Sequence, residues 1–184
     1  MRSKSLAMAA MALSLGACTA IQLVSKYDEE TDQQATAIQR EMAEFFVKIG
    51  SSADPKDRSF NANLDFYRKV AVDFSVLEVR ANAIYKNSIT LQQIDLTQTN
   101  LAYLILLNKG CVTGPLSDDQ KAKVAQMGPD LSTGCHTASG ASIDAENRGD
   151  TQLSPFIAHV VQRQFDQQLG AILALELAKK RGEK

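Results

Sequence analysis

Apolar side chains recur at spacings of three and four along most of the chain, the period of one helix face. Between Tyr27 and Ile49 they fall at Ala35, Ile38, Met42, Phe45 and Ile49. Asp28, Glu29, Glu30 and Asp32 crowd the start of that segment, where negative charge suits the helix dipole. Gly50, Ser51, Ser52 and Asp54-Pro55 then break the pattern. A second helix is predicted from about Ser59 to Lys86, with Phe60, Leu64, Tyr67, Ala71, Phe74, Leu77, Ala81 and Ile84 in register. Val70, Val72, Val76 and Val79 widen its apolar surface, as expected of a helix that touches two neighbours.

The third helix carries a capping-box pattern at Thr90 and Gln93, with Ile89 and Ile94 in the hydrophobic-staple positions. It continues through Leu101, Leu104 and Ile105 to a stop at Gly110. The fourth begins with Ser154 as its cap and Pro155 at the first helical position. Ile157, Val161, Phe165, Leu169, Ile172, Leu173 and Leu177 supply its apolar face, and Lys179, Lys180, Arg181 and Gly182 close it. At 1.5 Å per residue such helices are about 30–45 Å long. Short links between the first three imply antiparallel neighbours. The expected fold class is therefore all-α: a four-helix antiparallel bundle with a long connection between helices three and four. A three-helix core with a loose fourth helix is the alternative.

The N-terminus follows other rules. Arg2 and Lys4 form a basic head, and Leu6 to Leu15 an apolar stretch of ten residues. A permanent membrane span needs roughly 20 residues, so this length fits a secretory signal instead. Leu15-Gly16-Ala17-Cys18 follows and resembles the lipobox of bacterial lipoproteins. That resemblance implies cleavage between Ala17 and Cys18 and attachment of acyl chains, palmitate among them, to Cys18. The signal would be residues 1–17, Cys18 with its tether residues 18–26, and the helical domain residues 27–184. Thr19 stands where an aspartate would retain such a lipoprotein in the inner membrane, so the resemblance implies the outer membrane, facing the periplasm. Two or three acyl chains anchor a protein stably, at about 0.8 kcal/mol per buried methylene. Loss of Arg2 and Lys4 leaves eighteen basic and twenty-one acidic residues, net −3, so lipid rather than a polybasic patch must supply the anchor.

More than forty residues separate Gly110 from Ser154, far beyond an ordinary link between helices. Ser117 to Met127 reads as a short helix with Ser117 and Gln120 as capping box, ended by Gly128-Pro129. Residues 132–150 are rich in Gly, Ser, Thr and Ala, the composition of a loop. Once Cys18 carries lipid, Cys111 and Cys135 are the two remaining thiols of an exported chain. A disulfide between them is the leading reading, against free thiols or a redox or metal role. Closing that loop would contribute about 3.5 kcal/mol in the chain-entropy account.

Composition narrows the function classes. Apolar residues make up 45% and charged residues 22%, which suits a packed domain rather than disorder. The net charge of −1 before processing gives no sign of a basic surface built for nucleic acid, and no nucleic-acid partner is expected. His136 lies in Gly134-Cys135-His136-Thr137, but the C-x-x-C-H needed for covalent haem is absent because position 132 is Ser. His159 on the fourth helix could face inward as a ligand, yet no Glu-x-x-His pair accompanies it. Asp144, Glu146, Asn147 and Asp150 near Gly149 are oxygen-rich without the ordered pattern of a calcium loop. Asp73 and Glu78 are five apart and do not stack as a catalytic pair. No nucleophile, metal or phosphate motif stands in the chain, and no cofactor is expected.

Lys86-Asn87 leading into the third helix, and the ending Leu175-Glu176-Leu177-Ala178-Lys179-Lys180-Arg181-Gly182, resemble helical lipoproteins of unknown function from proteobacteria. The resemblance implies fold and location and transfers no active residue. The expected function is that of a non-enzymatic, membrane-anchored envelope lipoprotein acting as a protein-binding or structural module. Its partner would be another envelope protein, met by Val112, Leu116, Leu131 and Ile143 on the long connection, since loops on rigid scaffolds commonly carry recognition. The alternative is a carrier of a small hydrophobic ligand between helices, lined by Phe45, Phe46, Phe66, Phe74, Tyr103 and Phe165.

Overall fold

The computed structural model describes residues 24–110, 135–136, 142–143 and 152–183. The first helix, α1 (Glu29–Ser51), starts at Asp28, whose carboxylate accepts the Thr31 backbone N–H at 2.9 Å and the Thr31 hydroxyl at 2.7 Å. Glu29, Glu30 and Asp32 occupy its first turn and Lys48 its last, both favourable to the dipole. The predicted row Ala35, Ile38, Met42, Phe45 and Ile49 is buried, together with Phe46.

The second helix begins later than its apolar pattern suggests. Two 3-10 turns, Pro55–Arg58 and Asn61–Asn63, precede α2 (Leu64–Asn82). The Asn63 amide donates to the carbonyls of Asp57 (2.8 Å) and Ser59 (2.7 Å), and the Leu153 N–H donates to the Arg58 carbonyl at 3.0 Å. These bonds hold the segment in turns. Tyr67, Val70, Ala71, Phe74, Leu77 and Ala81 of α2 are buried. Val72, Val76 and Val79 are not, at 60%, 49% and 70% exposed. At about 100° per residue they lie opposite Phe74, so they form a solvent stripe rather than a second contact face.

Lys86, at φ 62°, turns the chain into α3 (Ser88–Asn108). This helix starts at Asn87, which corrects the expected capping box: Thr90 lies inside the first turn, buried, and its hydroxyl serves α4 instead of the helix's own amides. At the other end Gly110 takes φ 70°, the stop its type favours. The last helix, α4 (Pro155–Gly182), is capped as expected, with Ser154 Oγ accepting the Ile157 N–H at 3.2 Å. Two short strands, β1 (Cys135–His136) and β2 (Ser142–Ile143), pair antiparallel with Cys135 opposite Ile143.

The described residues are therefore mostly helical, and their architecture is all-α. α1 packs against α2 and α4, and α3 packs against the same two. Between them Ile38, Met42, Tyr67, Phe74, Leu77, Ile94, Leu104, Phe165, Leu169 and Ile172 are fully buried. Each such side chain stabilises the fold by about 1.5–3 kcal/mol through apolar burial. The buried row of α4 is Ala158, Val161, Phe165, Leu169, Ile172, Glu176 and Lys179. Leu177, expected on that face, is 45% exposed, and Ile157 is also exposed. No described helix is long and apolar enough to cross a membrane.

Candidate functional site

Continuing the row Phe165, Leu169, Ile172 by four and then three residues places Glu176 and Lys179 on the buried face of α4. Their side chains are 0% and 6% exposed and bond to each other at 2.5 Å. Lys179 Nζ also donates to Asn87 Oδ1 (2.7 Å) and Thr90 Oγ1 (3.0 Å), both at the start of α3. Glu176 Oε1 accepts the Thr90 hydroxyl at 3.3 Å, and Oε2 accepts the Asp28 backbone N–H at 3.3 Å. All three ammonium protons are thereby placed, so the burial of this charge is compensated.

The same cluster receives the incoming chain. Ser25 is buried, donates its hydroxyl to Asn87 Oδ1 at 3.0 Å, and donates its backbone N–H to the Lys86 carbonyl at 3.1 Å. Asn87 Nδ2 donates to the Ala81 carbonyl at 3.0 Å. The Tyr27 N–H donates to Glu183 Oε1 at 2.8 Å, while Lys180 stands over the Tyr27 ring, 4.7 Å from its centroid. Arg80 at the end of α2 grips Asp28 through two bonds, Nε to Oδ2 (3.0 Å) and Nη2 to Oδ1 (2.7 Å). That guanidinium holds the Asp28 carboxyl well below the usual carboxylate range, with the Thr31 hydrogen bonds acting in the same direction against desolvation. Reciprocally, Asp28 raises the Arg80 pKa. The starts of α1 and α3 and the ends of α2 and α4 thus meet in one polar cluster.

Beside it runs a groove of about 240 Å³, lined in part by Val24, Lys26, Lys86, Ile89, Leu175 and Ala178. Its surface is mainly apolar, with Val24 43% and Ile89 46% exposed. Lys179 reaches its wall but gives its protons to Asn87, Thr90 and Glu176, so the ammonium fixes geometry rather than offering a nucleophile.

Of the residues singled out from the sequence, Cys18, Cys111, Val112, Leu116 and Leu131 lie outside the described residues, as do Asp144, Glu146, Asn147 and Asp150. The helix expected at Ser117 to Met127 also lies outside them. Cys135 and Ile143 are backbone partners in the β1–β2 pair, with His136 next in the ladder. His159 is exposed on α4 and does not face the interior. Asp73 accepts from Lys69 at 2.9 Å and Glu78 from Gln98 at 2.9 Å, so neither addresses the other. Lys69 also pairs with Glu41, and these two carboxylates raise its pKa.

Phe45, Phe46, Phe74 and Phe165 are buried, and Phe66 and Tyr103 are half-buried. Phe45 stacks on Phe66 with centroids 4.1 Å apart, meets Phe46 edge-on at 5.2 Å, and Phe46 reaches Phe165 at 6.0 Å. Phe45, Phe46, Phe66 and Phe165 thus pack against one another. Among the described residues no group of three or more His, Cys, Asp or Glu side chains could hold a metal ion. The cluster of Ser25, Asn87, Thr90, Glu176 and Lys179 escaped sequence reasoning. Its signal was the unbroken three-and-four spacing that carries Glu176 and Lys179 along the Phe165 row. No family model, curated protein or solved structure matches the chain.

Proposed function

We propose that this chain is a non-enzymatic envelope lipoprotein, anchored by acyl chains on Cys18 and serving as a protein-binding or structural module. The observation that carries the reading is the basic head, the ten-residue apolar stretch and Leu15-Gly16-Ala17-Cys18 in the order and spacing of a lipoprotein signal. Thr19 after the cysteine favours the outer membrane, facing the periplasm. The attachment of Ser25 and Asp28 to α3 and α4 supports it, since a domain held by its N-terminus benefits from a first segment bonded to the rest. The mutual satisfaction of Glu176 and Lys179 supports a non-enzymatic role, because the buried charges act on each other rather than on a substrate.

In this reading the four helices form an antiparallel bundle. Its support is the packing of each helix on two others and the meeting of chain ends at Tyr27–Glu183, Arg80–Asp28 and Lys179–Asn87. A disulfide between Cys111 and Cys135 closes the long connection, as export leaves these two thiols to pair. The envelope partner docks at Val112, Leu116, Leu131 and Ile143.

Intact-mass measurement of protein from the membrane fraction, alkylated with and without reduction, tests the anchor. A mass for cleavage before Cys18 plus acyl chains, with two alkylations gained only after reduction, is expected. An unprocessed chain with three thiols alkylated without reduction overturns the reading. Crosslinking in intact cells is expected to capture one specific envelope protein, and capture of none removes the binding role.

A further inference from the structure

The end of the helical domain that receives the chain carries an apolar rim flanked by lysines. Val24 and Ile89 present partly exposed apolar side chains at the rim of the groove, and Tyr85 in the α2–α3 turn is 81% exposed. Lys26 and Lys86 flank the same opening, with Lys86 Nζ over the Tyr85 ring, 5.3 Å from its centroid. Among the lining residues the single acid is Glu183, whose carboxylate accepts the Tyr27 N–H. Glu29 and Glu30 begin α1 at this end but do not line the groove. Exposed Tyr and aliphatic side chains beside lysines, which keep their ammonium groups in water while their stems lie on apolar surface, suit a lipid headgroup layer.

Position decides between this and any other covering. Ser25 is fixed to Lys86 and Asn87, so Val24, the first described residue, is held at the groove itself. Five residues separate Cys18 from Val24, and six Cα steps span at most about 20 Å. We infer that the Val24–Tyr85–Ile89 face seats on the phospholipid surface, Lys26 and Lys86 meeting headgroup phosphates, so that the helices stand away from the membrane. This rests on the lipid anchor at Cys18 and adds a defined orientation to it.

The full lipidated chain contains no tryptophan, so Tyr85→Trp is a single optical probe, and Val47→Trp on exposed α1 surface near the opposite end is its control. Both variants are reconstituted into phosphatidylcholine–phosphatidylglycerol vesicles carrying bromine on the lipid acyl chains near the headgroup. Quenching of about twofold is expected at Tyr85→Trp, with little at Val47→Trp. Adding Lys26→Glu and Lys86→Glu to Tyr85→Trp is expected to abolish most of that quenching while the protein still co-sediments with vesicles. Equal, weak quenching at both probes overturns the orientation, and quenching untouched by the charge reversals overturns the role of the lysines. Co-sedimentation reports the anchor separately, because it fails when Cys18 carries no lipid, whatever the orientation.

Discussion

Replacing Lys179 by Met keeps most of the side chain's length and removes its charge, leaving the buried Glu176 carboxylate without its cation. Lys179 makes three charge-assisted bonds, to Glu176, Asn87 and Thr90. At about 1.5–3 kcal/mol each, their loss alone would be comparable to the whole stability of a small domain. The ammonium's own desolvation, several kcal/mol, is recovered on substitution and offsets part of that. Breaking one side of a buried pair then costs about 3–5 kcal/mol, most of it the uncompensated charge. Glu176 would retain only the Thr90 hydroxyl and the Asp28 N–H, both at 3.3 Å. Urea unfolding followed by far-ultraviolet circular dichroism should show this loss near neutral pH. Adding Glu176→Leu should recover at least about 2 kcal/mol, although Thr90 and the Asp28 N–H then lose an acceptor. A single variant costing under about 1 kcal/mol, with no recovery in the double, would refute the view that the pair is buried and interdependent.

Three further outcomes follow from the same geometry. Asp28→Asn preserves the cap but weakens the Arg80 pairing; because the folded Asp28 pKa lies below its unfolded value, the pair stabilises the fold above about pH 4 and is lost in acid. The urea midpoints of wild type and variant should therefore differ at pH 6 and converge as pH falls below that range. Phe165→Ala should cost about 3–5 kcal/mol by thermal or urea unfolding, whereas Val76→Ser on the solvent stripe should change stability by less than about 0.5 kcal/mol. Tyr67→Phe removes a fully buried hydroxyl that donates to Asn108 at 2.8 Å and should cost about 1 kcal/mol in the same assay.

Where a sequence rule and the packing pressed in the same direction, the chain was readable. The α1 row from Ala35 to Ile49, the acidic start of α1, the cap at Ser154 and the stop at Gly110 each rest on one local cause that nothing remote opposed. The second helix misled because it is apolar on two sides: periodicity marks Val72, Val76 and Val79 as hydrophobic but carries no information on which row meets a neighbour. Thr90 shows a different failure. Its capping pattern was present, but the hydroxyl had a competing use with Glu176 and Lys179, eighty-six and eighty-nine residues away, and a local motif cannot weigh a distant partner. The same pair is hard to read because Glu and Lys are rarely buried, although its spacing continues the Phe165 row. The candidate site was thus written in the periodicity and hidden by the residue types.

The packing of α1 on α4 also sets the order in which the domain can be completed. Tyr27 and Asp28 bond to Glu183 and Glu176, across 156 and 148 residues of sequence, so the start of the first helix finds its finishing contacts on α4. The apolar row from Ala35 to Ile49 stays partly uncovered until α4 packs on it. Non-local closure of this kind slows folding and prolongs exposure to aggregation. Loss of even the final two turns would remove Glu176 and Lys179 together and leave Thr90 and Asn87 without their partners on α4. Truncating α4 before Glu176 would therefore also loosen the starts of α1 and α3, which meet it at the same end of the domain.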